Sequence, residues 1–236
     1  MNVAVLLAGG SGSRTEQDVP KQFMNVYDKP IMIYTLEAFQ QHPDIDSIIV
    51  ACLDGWQTIL EAYAKEAGIT KIQYIVKGGE NGQESARNAL DALKGICKED
   101  DIVIIHDAVR PMVSAEIISD CIVKCRKYGS GLAAVRCQET IVRTQDGVKG
   151  DAYVKRKGIM RVQTPQAYRY GKAFHAHEEA LKQGIYDVVY TNILMLDMGE
   201  TLYFSKGSEK NIKITTMEDV EIFKALYRVK KEDWVK

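Results

Sequence analysis

The chain begins with a continuous apolar run, Val3–Ala8, that ends at a pair of glycines. A strand that is apolar at every position is typical of a parallel sheet covered by helices on both faces. Similar runs recur at Ser47–Cys52 and Ile102–Ile105, and helical patterns separate them. Because regular alternation of strands and helices produces βαβ units, we expect an α/β fold: a doubly wound, Rossmann-like, mostly parallel sheet.

The alternation continues along the chain and then changes character. Periodicity and helix-end residues predict helices after Pro30 and over Trp56–Gly68, Glu84–Ile96, Ser114–Tyr128, Gly171–Gln183, Thr191–Asp197 and Met217–Tyr227, with strands at Ile72–Val76 and Thr201–Ser205. From Gly131 to Val162 the sequence is β-rich instead, and Asp146-Gly147 is a strong hairpin-turn signal. We therefore expect a β-arm, at about residues 137–157, that projects from the main sheet.

Length and charge restrict the class of protein. At 236 residues the chain suits one domain, 1–236, with one active site. Its formal net charge of −1 at pH 7 provides no electrostatic footprint for nucleic acid or an anionic membrane. No apolar run approaches the roughly 20 residues that span a bilayer, and the first strand is too short for a signal peptide. We expect a cytoplasmic protein that binds neither nucleic acid nor membrane.

Cysteines and histidines give no metal or disulfide framework. The five cysteines are odd in number and scattered, which favours reduced thiols. Cys121 and Cys125 have the i, i+4 spacing of two ligands on one helix face, but isoleucines share that stripe, so core packing is the better interpretation. His175 and His177 are two residues apart in a predicted helix and point to different faces. We assign both histidines to the surface.

The loop after the first strand, Ala8–Arg14, is rich in glycine and serine. Such glycines let backbone N–H groups approach a phosphate closely, although a tight βα turn uses the same residues. Thr15 stands where a dinucleotide fingerprint needs Gly or Ala, and no Gly-Lys-Ser/Thr sequence completes a P-loop. Arg14 and Lys21 lie on one long loop. Two cations there could neutralise the negative charge that develops in phosphoryl transfer, and the alternative is that both side chains are simply solvated. Nucleotide binding is the first hypothesis.

Six short blocks, in order and spread over nearly the whole chain, resemble one family. That family is the sugar-alcohol-phosphate cytidylyltransferases, whose fold is a Rossmann-like nucleotidyltransferase. The blocks are Leu7–Arg14, Pro20–Phe23, Gly78–Glu80, His106–Pro111, Gln163–Gln166 and Asn211–Thr215.

The resemblance implies a role for each block on the nucleotide side. Arg14 and Lys21 correspond to the catalytic pair that stabilises the transition state at the α-phosphorus of CTP. Asp107 follows a buried strand, where an α/β sheet presents residues to ligands, and a carboxylate there can hold Mg²⁺ beside a triphosphate, the alternative being a turn or capping role. The residues assigned to the nucleotide are Leu7, Ala8, Gly9, Gly10, Gly79, Glu80 and Ser85.

The resemblance also assigns the acceptor, a phosphate monoester, to a second group of residues. Arg156 on the arm and Lys213 near the last helix are the cationic clamps, and the basic neighbours of Arg156 leave a solvated face as the alternative. Thr140, Thr164 and Arg110 complete the acceptor site. In relatives such an arm is exchanged across a dimer, so we expect a homodimer in which Arg156 serves the neighbouring site.

The implied reaction is an attack of the acceptor phosphate on the α-phosphorus of CTP, with release of pyrophosphate. The opening block and Val109 are nearer to the ribitol-phosphate branch, so ribitol 5-phosphate is the expected acceptor and 2-C-methyl-D-erythritol 4-phosphate the alternative. Asn192 and Gly82 stand where relatives usually carry Asp and Arg, which bears on the acceptor's identity. A non-catalytic nucleotide-binding protein and a sugar-1-phosphate nucleotidyltransferase that uses UTP or GTP are the competing hypotheses.

Overall fold

The computed structural model describes residues 1–10, 19–186, 188 and 190–232, the last three of these by their backbone alone. In chain order the strands are β1 (Asn2–Ala8), β2 (Asn25–Val26), β3 (Lys29–Pro30), β4 (Ser47–Cys52), β5 (Ile72–Lys77), β6 (Ile102–Asp107), β7 (Ser130–Arg136), β8 (Ile141–Thr144), β9 (Gly150–Val154), β10 (Met160–Arg169) and β11 (Phe204–Lys206). The helices are α1 (Ile31–Gln41), α2 (Gln57–Glu66), α3 (Gly82–Ala92), α4 (Ala115–Tyr128), α5 (Tyr170–Lys182), α6 (Thr191–Asp197) and α7 (Met217–Glu232), and a 3-10 turn spans Lys21–Phe23.

The main sheet has seven strands in the order β11-β7-β10-β6-β1-β4-β5. Strands β6, β1, β4 and β5 are mutually parallel, and β11 is parallel to β7. Strand β10 runs antiparallel to both of its neighbours, β6 and β7. The predicted mostly parallel α/β sheet is therefore confirmed, with one antiparallel strand in its interior.

Helices cover both faces of this sheet, as the all-apolar strands require. Ala4 and Leu6 of β1 pack on one face with α1, α2 and α4, whereas Val3 and Val5 pack on the other with α3, α5 and α6. Cys121 and Cys125 belong to the first of these cores and all five cysteines are free thiols, as predicted. A third cluster packs α7 against α1 and the short β2–β3 hairpin.

Two element ends illustrate how local chemistry sets the boundaries. Gly129 ends α4 in the left-handed conformation, with φ of 90°, as its position predicted. Helix α3 begins at Gly82, two residues before the predicted start, because the side chain of Asn81 accepts a hydrogen bond from the backbone N–H of Glu84. This cap places the start of α3 beside Gly9 and Gly10, which are called the glycine loop below.

Two sequence predictions are wrong in detail. His177 is buried, only 1% exposed, because it shares the α5 stripe of Ala173 and Phe174, and its Nε2 lies 3.1 Å from Thr191 Oγ1. Burial lowers its pKa to about 4, so the imidazole is neutral near pH 7. His175 is exposed, as predicted. The last strand is Phe204–Lys206, not Thr201–Ser205, because pairing with β7 sets its position.

Strands β8 and β9 form a separate two-stranded antiparallel sheet. Asp146 and Gly147 make the predicted turn: Asp146 Oδ1 accepts the N–H groups of Val148 and Lys149, and Gly147 has φ of 73°. The arm leaves Val148 and Tyr153 82% and 69% exposed in a single chain. Within the described residues, no helix is long and apolar enough to cross a bilayer.

Candidate active site

A cavity of about 300 Å³ opens at the carboxyl ends of β1 and β6. The parallel register pairs Leu7 with Asp107 and Ala8 with Cys52, so these strands end at one edge of the sheet. An edge of this kind is where open α/β sheets bind ligands. The cavity is lined by Leu7, Ala8, Gly9, Gly10, Lys21, Gln22, Gly79, Glu80, Asn81, Gly82, Ser85, Asp107, Val109, Tyr190 and Lys213.

All seven residues assigned to the nucleotide line this cavity, together with Lys21, Asp107 and Lys213. Arg14, the other predicted catalytic cation, lies outside the described residues. Sequence reasoning did not single out Gln22, Asn81 or Tyr190. Of these, Gln22 stood inside a block already quoted, while no local motif pointed to Tyr190.

The glycine loop is tied to the turn that carries Lys21. The amide Nε2 of buried Gln22 donates hydrogen bonds to the carbonyl oxygens of Ala8 and Gly10, at 2.8 and 2.9 Å. On the other side of Gln22, Phe23 is buried and its ring lies 4.6 Å from that of Trp56. These contacts fix the turn, so Lys21 stands beside the glycine loop before any ligand binds.

Two glycines let neighbouring loops meet backbone to backbone. A methyl group built on Gly78 lies 2.6 Å from Cα of Gly9 and 3.0 Å from the carbonyl oxygen of Cys52. One built on Gly9 lies 2.9 Å from Oγ of Ser85. Both positions therefore need glycine for close approach, and this contact joins the nucleotide-assigned segments after β1 and β5.

Replacing Gly78 by alanine is expected to destabilise the protein by about 1 to 3 kcal/mol, because a backbone atom blocks the added methyl group. Urea unfolding measures this change, and CTP affinity falls with it as the two loops separate. Gly10→Ala is the matched control for stability, since no atom of the described residues lies within 4 Å of a methyl group there. Equal unfolding midpoints for the two variants would show that the loops do not need this contact.

The segment before α3 is closed by its own hydrogen bonds. Ser85 Oγ accepts from the backbone N–H of Gly79 at 3.0 Å and donates to the carbonyl of Asn81 at 2.9 Å. Glu84 Oε2 accepts from the N–H of Glu80 at 2.8 Å. The shape of this wall is set within the protein, which is the preorganisation that selective binding requires.

Asp107 sits between two cations at the base of the cavity. Its Oδ1 lies 3.0 Å from Lys213 Nζ and its Oδ2 lies 2.9 Å from Arg110 Nε. The hydroxyl of Thr164 accepts the backbone N–H of Asp107 at 3.0 Å. Burial by itself raises the pKa of this carboxyl, but the charges of Lys213 and Arg110 outweigh it and lower the pKa to about 2. Asp107 is ionised at neutral pH.

Arg110 and Thr164 hold this carboxylate from behind the cavity wall. Arg110 is bound to Asp107 and donates to the carbonyl of Asn211 at 2.8 Å, which anchors the segment before Lys213. Neither residue lines the cavity. The structure gives them a positioning role, and their contacts with an acceptor stay predictions.

Lys213 is shared between Asp107 and Tyr190. Its Nζ lies 2.9 Å from Tyr190 Oη. Burial acts to lower the pKa of Lys213, but Asp107 and the hydroxyl of Tyr190 stabilise the charged form and the net effect is a raised pKa. The ammonium group is therefore a permanent cation at the cavity.

The arm residues lie elsewhere in a single chain. Arg156 and Thr140 are exposed and do not line the cavity, and Arg156 Nη1 donates to the carbonyl of Gln138.

Gly82 and Asn192 are the two positions at which this sequence departs from the residues expected in relatives. Gly82 lines the cavity. Asn192 is buried outside it, and its Oδ1 accepts from Gln166 Nε2 at 3.3 Å.

The donor set suits a metal bound together with phosphates. Asp107 and Glu80 are the carboxylates of the cavity wall. Across the part of the chain that is described, no group of three or more His, Cys, Asp or Glu side chains is placed to hold an ion. Mg²⁺ commonly takes one or two carboxylates together with substrate phosphates and water, so Asp107 fits such an ion and a cage made by protein alone is not needed.

Known proteins resemble this chain over its whole length. A family model described as 2-C-methyl-D-erythritol 4-phosphate cytidylyltransferase matches residues 2–228. A ribitol-5-phosphate cytidylyltransferase of Lacticaseibacillus paracasei is 45% identical over 98% of this chain and 99% of its own. A 2-C-methyl-D-erythritol 4-phosphate cytidylyltransferase of Clostridium novyi is 37% identical over 93% of each.

The fold comparison agrees with these relatives. A solved structure of 4-diphosphocytidyl-2C-methyl-D-erythritol synthase from Anaerococcus prevotii matches with a TM-score of 0.81, at 25% identity over 96% of both chains. The order of the sequence blocks, the contribution of five of the six to one cavity and the family model lead to the same assignment. The chain belongs to the 2-C-methyl-D-erythritol 4-phosphate cytidylyltransferase family of nucleotidyltransferase enzymes.

Proposed function

We propose that this cytidylyltransferase transfers CMP from CTP to ribitol 5-phosphate and releases pyrophosphate, forming CDP-ribitol. The main support for this acceptor is the 45% identity with the Lacticaseibacillus paracasei protein named for ribitol 5-phosphate, which extends over 98% of this chain and 99% of that protein. Proteins of that name from Streptococcus agalactiae, 34% identical over the whole chain, support the same acceptor.

The chemistry needs positioning and charge neutralisation more than proton transfer. A phosphate monoester has a second pKa of about 6 and is largely dianionic at neutral pH, so it attacks without a general base. No histidine or cysteine is among the described residues that line the cavity. The acceptor oxygen forms a bond to the α-phosphorus as the bond to the pyrophosphate oxygen breaks, and negative charge grows on the leaving group.

Cationic groups at the cavity neutralise the negative charge of the reacting phosphates. Lys21, beside the glycine loop, is placed to neutralise the phosphoryl oxygens of CTP, and Lys213 also lines the cavity, where it supplies the cation for the acceptor phosphate. Mg²⁺, when bound with CTP, supplies Lewis-acid neutralisation of the triphosphate, and Asp107 is the residue that would hold it.

A second acceptor has its own support. The family model carries the name of 2-C-methyl-D-erythritol 4-phosphate, and the Clostridium novyi relative at 37% identity is named for the same acceptor. The two acceptors differ by a methyl branch and one hydroxyl-bearing carbon. The group that distinguishes them must therefore contact the polyol chain.

We propose further that the protein acts as a homodimer through its arm. Arg156 and Thr140 are exposed and outside the cavity of their own chain, and apolar side chains of the arm are open to solvent. An arm that reaches a neighbouring molecule brings a cation to the acceptor there. The free thiols of all five cysteines suit the reducing cytoplasm, which is the proposed location.

The proposed reaction is tested by pyrophosphate release with CTP and Mg²⁺, with ribitol 5-phosphate and 2-C-methyl-D-erythritol 4-phosphate in parallel wells. We expect release with CTP and ribitol 5-phosphate, and much less with ATP, GTP or UTP. Preference for UTP or GTP would favour a sugar-phosphate nucleotidyltransferase. CTP binding without release on any acceptor would indicate a non-catalytic nucleotide-binding protein.

A further inference from the structure

Tyr190 is a half-buried aromatic residue in the cavity wall, and it immediately precedes α6. Its hydroxyl oxygen accepts a hydrogen bond from Lys213 Nζ at 2.9 Å. A phenol that accepts still has its own proton to donate. Among the described residues no acceptor for that proton is present, so Tyr190 offers a donor at the cavity wall.

Lys213 has donor capacity left as well. An ammonium group carries three protons. Asp107 Oδ1 and Tyr190 Oη engage two of them, at 3.0 and 2.9 Å. One N–H of Lys213 and the O–H of Tyr190 therefore lie within about one hydrogen-bond length of each other, an arrangement that suits an anionic oxygen.

Two walls of the cavity can be told apart by their contacts. Gly9 lies against Gly78 and Ser85, so the segments assigned to the nucleotide pack together on one side. Tyr190, Lys213 and Asp107 form a separate hydrogen-bonded chain that continues into Arg110. An anion at Tyr190 is thus held by groups different from those of the nucleotide wall.

The position of Tyr190 is fixed from the start of α3. Gln83, which is 2% exposed, donates through Nε2 to the carbonyl of Ile185 and accepts through Oε1 from the N–H of Val188, both at 2.8 Å. Asn81 Nδ2 donates to the carbonyl of Tyr186, also at 2.8 Å. These bonds hold Ile185, Tyr186 and Val188, the described residues that precede Tyr190, and so favour a hydroxyl that faces the cavity in advance of binding.

We propose that the Tyr190 hydroxyl donates a hydrogen bond to the phosphate of the acceptor beside Lys213, and is a binding residue for that phosphate. This inference rests on the proposed function. It adds the hydroxyl of Tyr190 to the cations and threonines already assigned to the acceptor, and it makes the acceptor's affinity depend on that group.

Tyr190→Phe removes the hydroxyl and keeps the ring. We expect the KM for the acceptor to rise about tenfold, the usual scale for losing one hydrogen bond to a charged group, while the KM for CTP stays within about twofold. Tyr186→Phe is the matched control, since that ring is 61% exposed and does not line the cavity. Its kinetic constants stay at wild-type values. Unchanged acceptor KM in a folded Tyr190→Phe variant overturns the proposal.

A second measurement identifies the group that Tyr190 contacts. Methyl phosphate, a monoester with no polyol chain, is used as a competitive inhibitor against the acceptor. Its inhibition constant rises by the same factor as the acceptor KM if the hydroxyl binds phosphate. If only the acceptor KM rises, the hydroxyl binds the polyol and the phosphate assignment is wrong. A wild-type protein that releases no pyrophosphate contradicts the proposed function, whereas an active wild type with an unaffected variant contradicts only the role of Tyr190.

Discussion

Alanine at position 21 is expected to lower kcat by about 100-fold or more, the scale for losing one donor that neutralises transition-state charge. Lys21 lines the cavity and begins the 3-10 turn whose next residue, Gln22, is bonded to the glycine loop. The charge it faces grows as pyrophosphate departs, so the loss falls on turnover more than on CTP binding. Steady-state kinetics with saturating acceptor measure kcat and the KM for CTP separately.

The matched control for this variant is Lys182→Ala, which removes a solvent-exposed ammonium paired with Glu179 on α5. It is expected to leave both constants unchanged. Thermal unfolding of both variants checks that the turn survives. A Lys21→Ala protein that is folded and turns over at nearly the wild-type rate would remove Lys21 from the mechanism.

Asp107→Asn is expected to destabilise the protein by about 2 to 3 kcal/mol at neutral pH. The change keeps the shape of the side chain but leaves Lys213 and Arg110 beside each other without their shared anion, and a carboxyl whose pKa is lowered from 3.8 to about 2 contributes about this much stability when it is ionised. Turnover falls as well, because the proposed Mg²⁺ ligand is lost. Urea unfolding measures the stability, and Asp54→Asn, which breaks an exposed pair with Lys77, is the control that leaves it unchanged.

The pH dependence separates charge from shape in this variant. The pKa of Asp107 is lowered from 3.8 to about 2 in the folded protein. Its stabilisation is therefore complete above about pH 4 and is lost as the pH falls through about 2. The gap in unfolding free energy between wild type and Asp107→Asn should shrink by about 1 kcal/mol between pH 6 and pH 3. A gap that stays constant over this range would show that the carboxylate charge is not its cause.

The fold was accessible from the sequence because its determinants are local. The apolar runs of β1, β4 and β6 and the glycine that ends α4 act through neighbours in the chain. The position of β11 depends on pairing with β7, which no local pattern encodes. The two-residue offset from His175 puts His177 on a different face of α5, and its spacing from Phe174 makes that face the buried stripe, where Thr191 gives His177 a partner.

The candidate site also has residues that local sequence blocks predict and residues that only tertiary contacts bring there. Its glycine loop, Lys21 and Asp107 lie in contiguous blocks that a family resemblance can match. Tyr190 carries no motif, and its place in the cavity wall depends on tertiary contacts such as that between Gln83 of α3 and Ile185. The family resemblance assigns Arg110 to the acceptor, and only the structure shows that it forms an ion pair with Asp107. Sequence identifies the residues near the chemistry, but it does not assign the hydrogen bonds among them.

The most direct test of the central claim places ribitol 5-phosphate and 2-C-methyl-D-erythritol 4-phosphate, at equal concentration, in one vessel with limiting CTP and Mg²⁺. Mass spectrometry then measures the ratio of the two cytidine diphosphate products, which equals the ratio of the two values of kcat/KM. The proposed function predicts that CDP-ribitol dominates from the earliest time points. Dominance of the methylerythritol product, or consumption of CTP without either product, would contradict it.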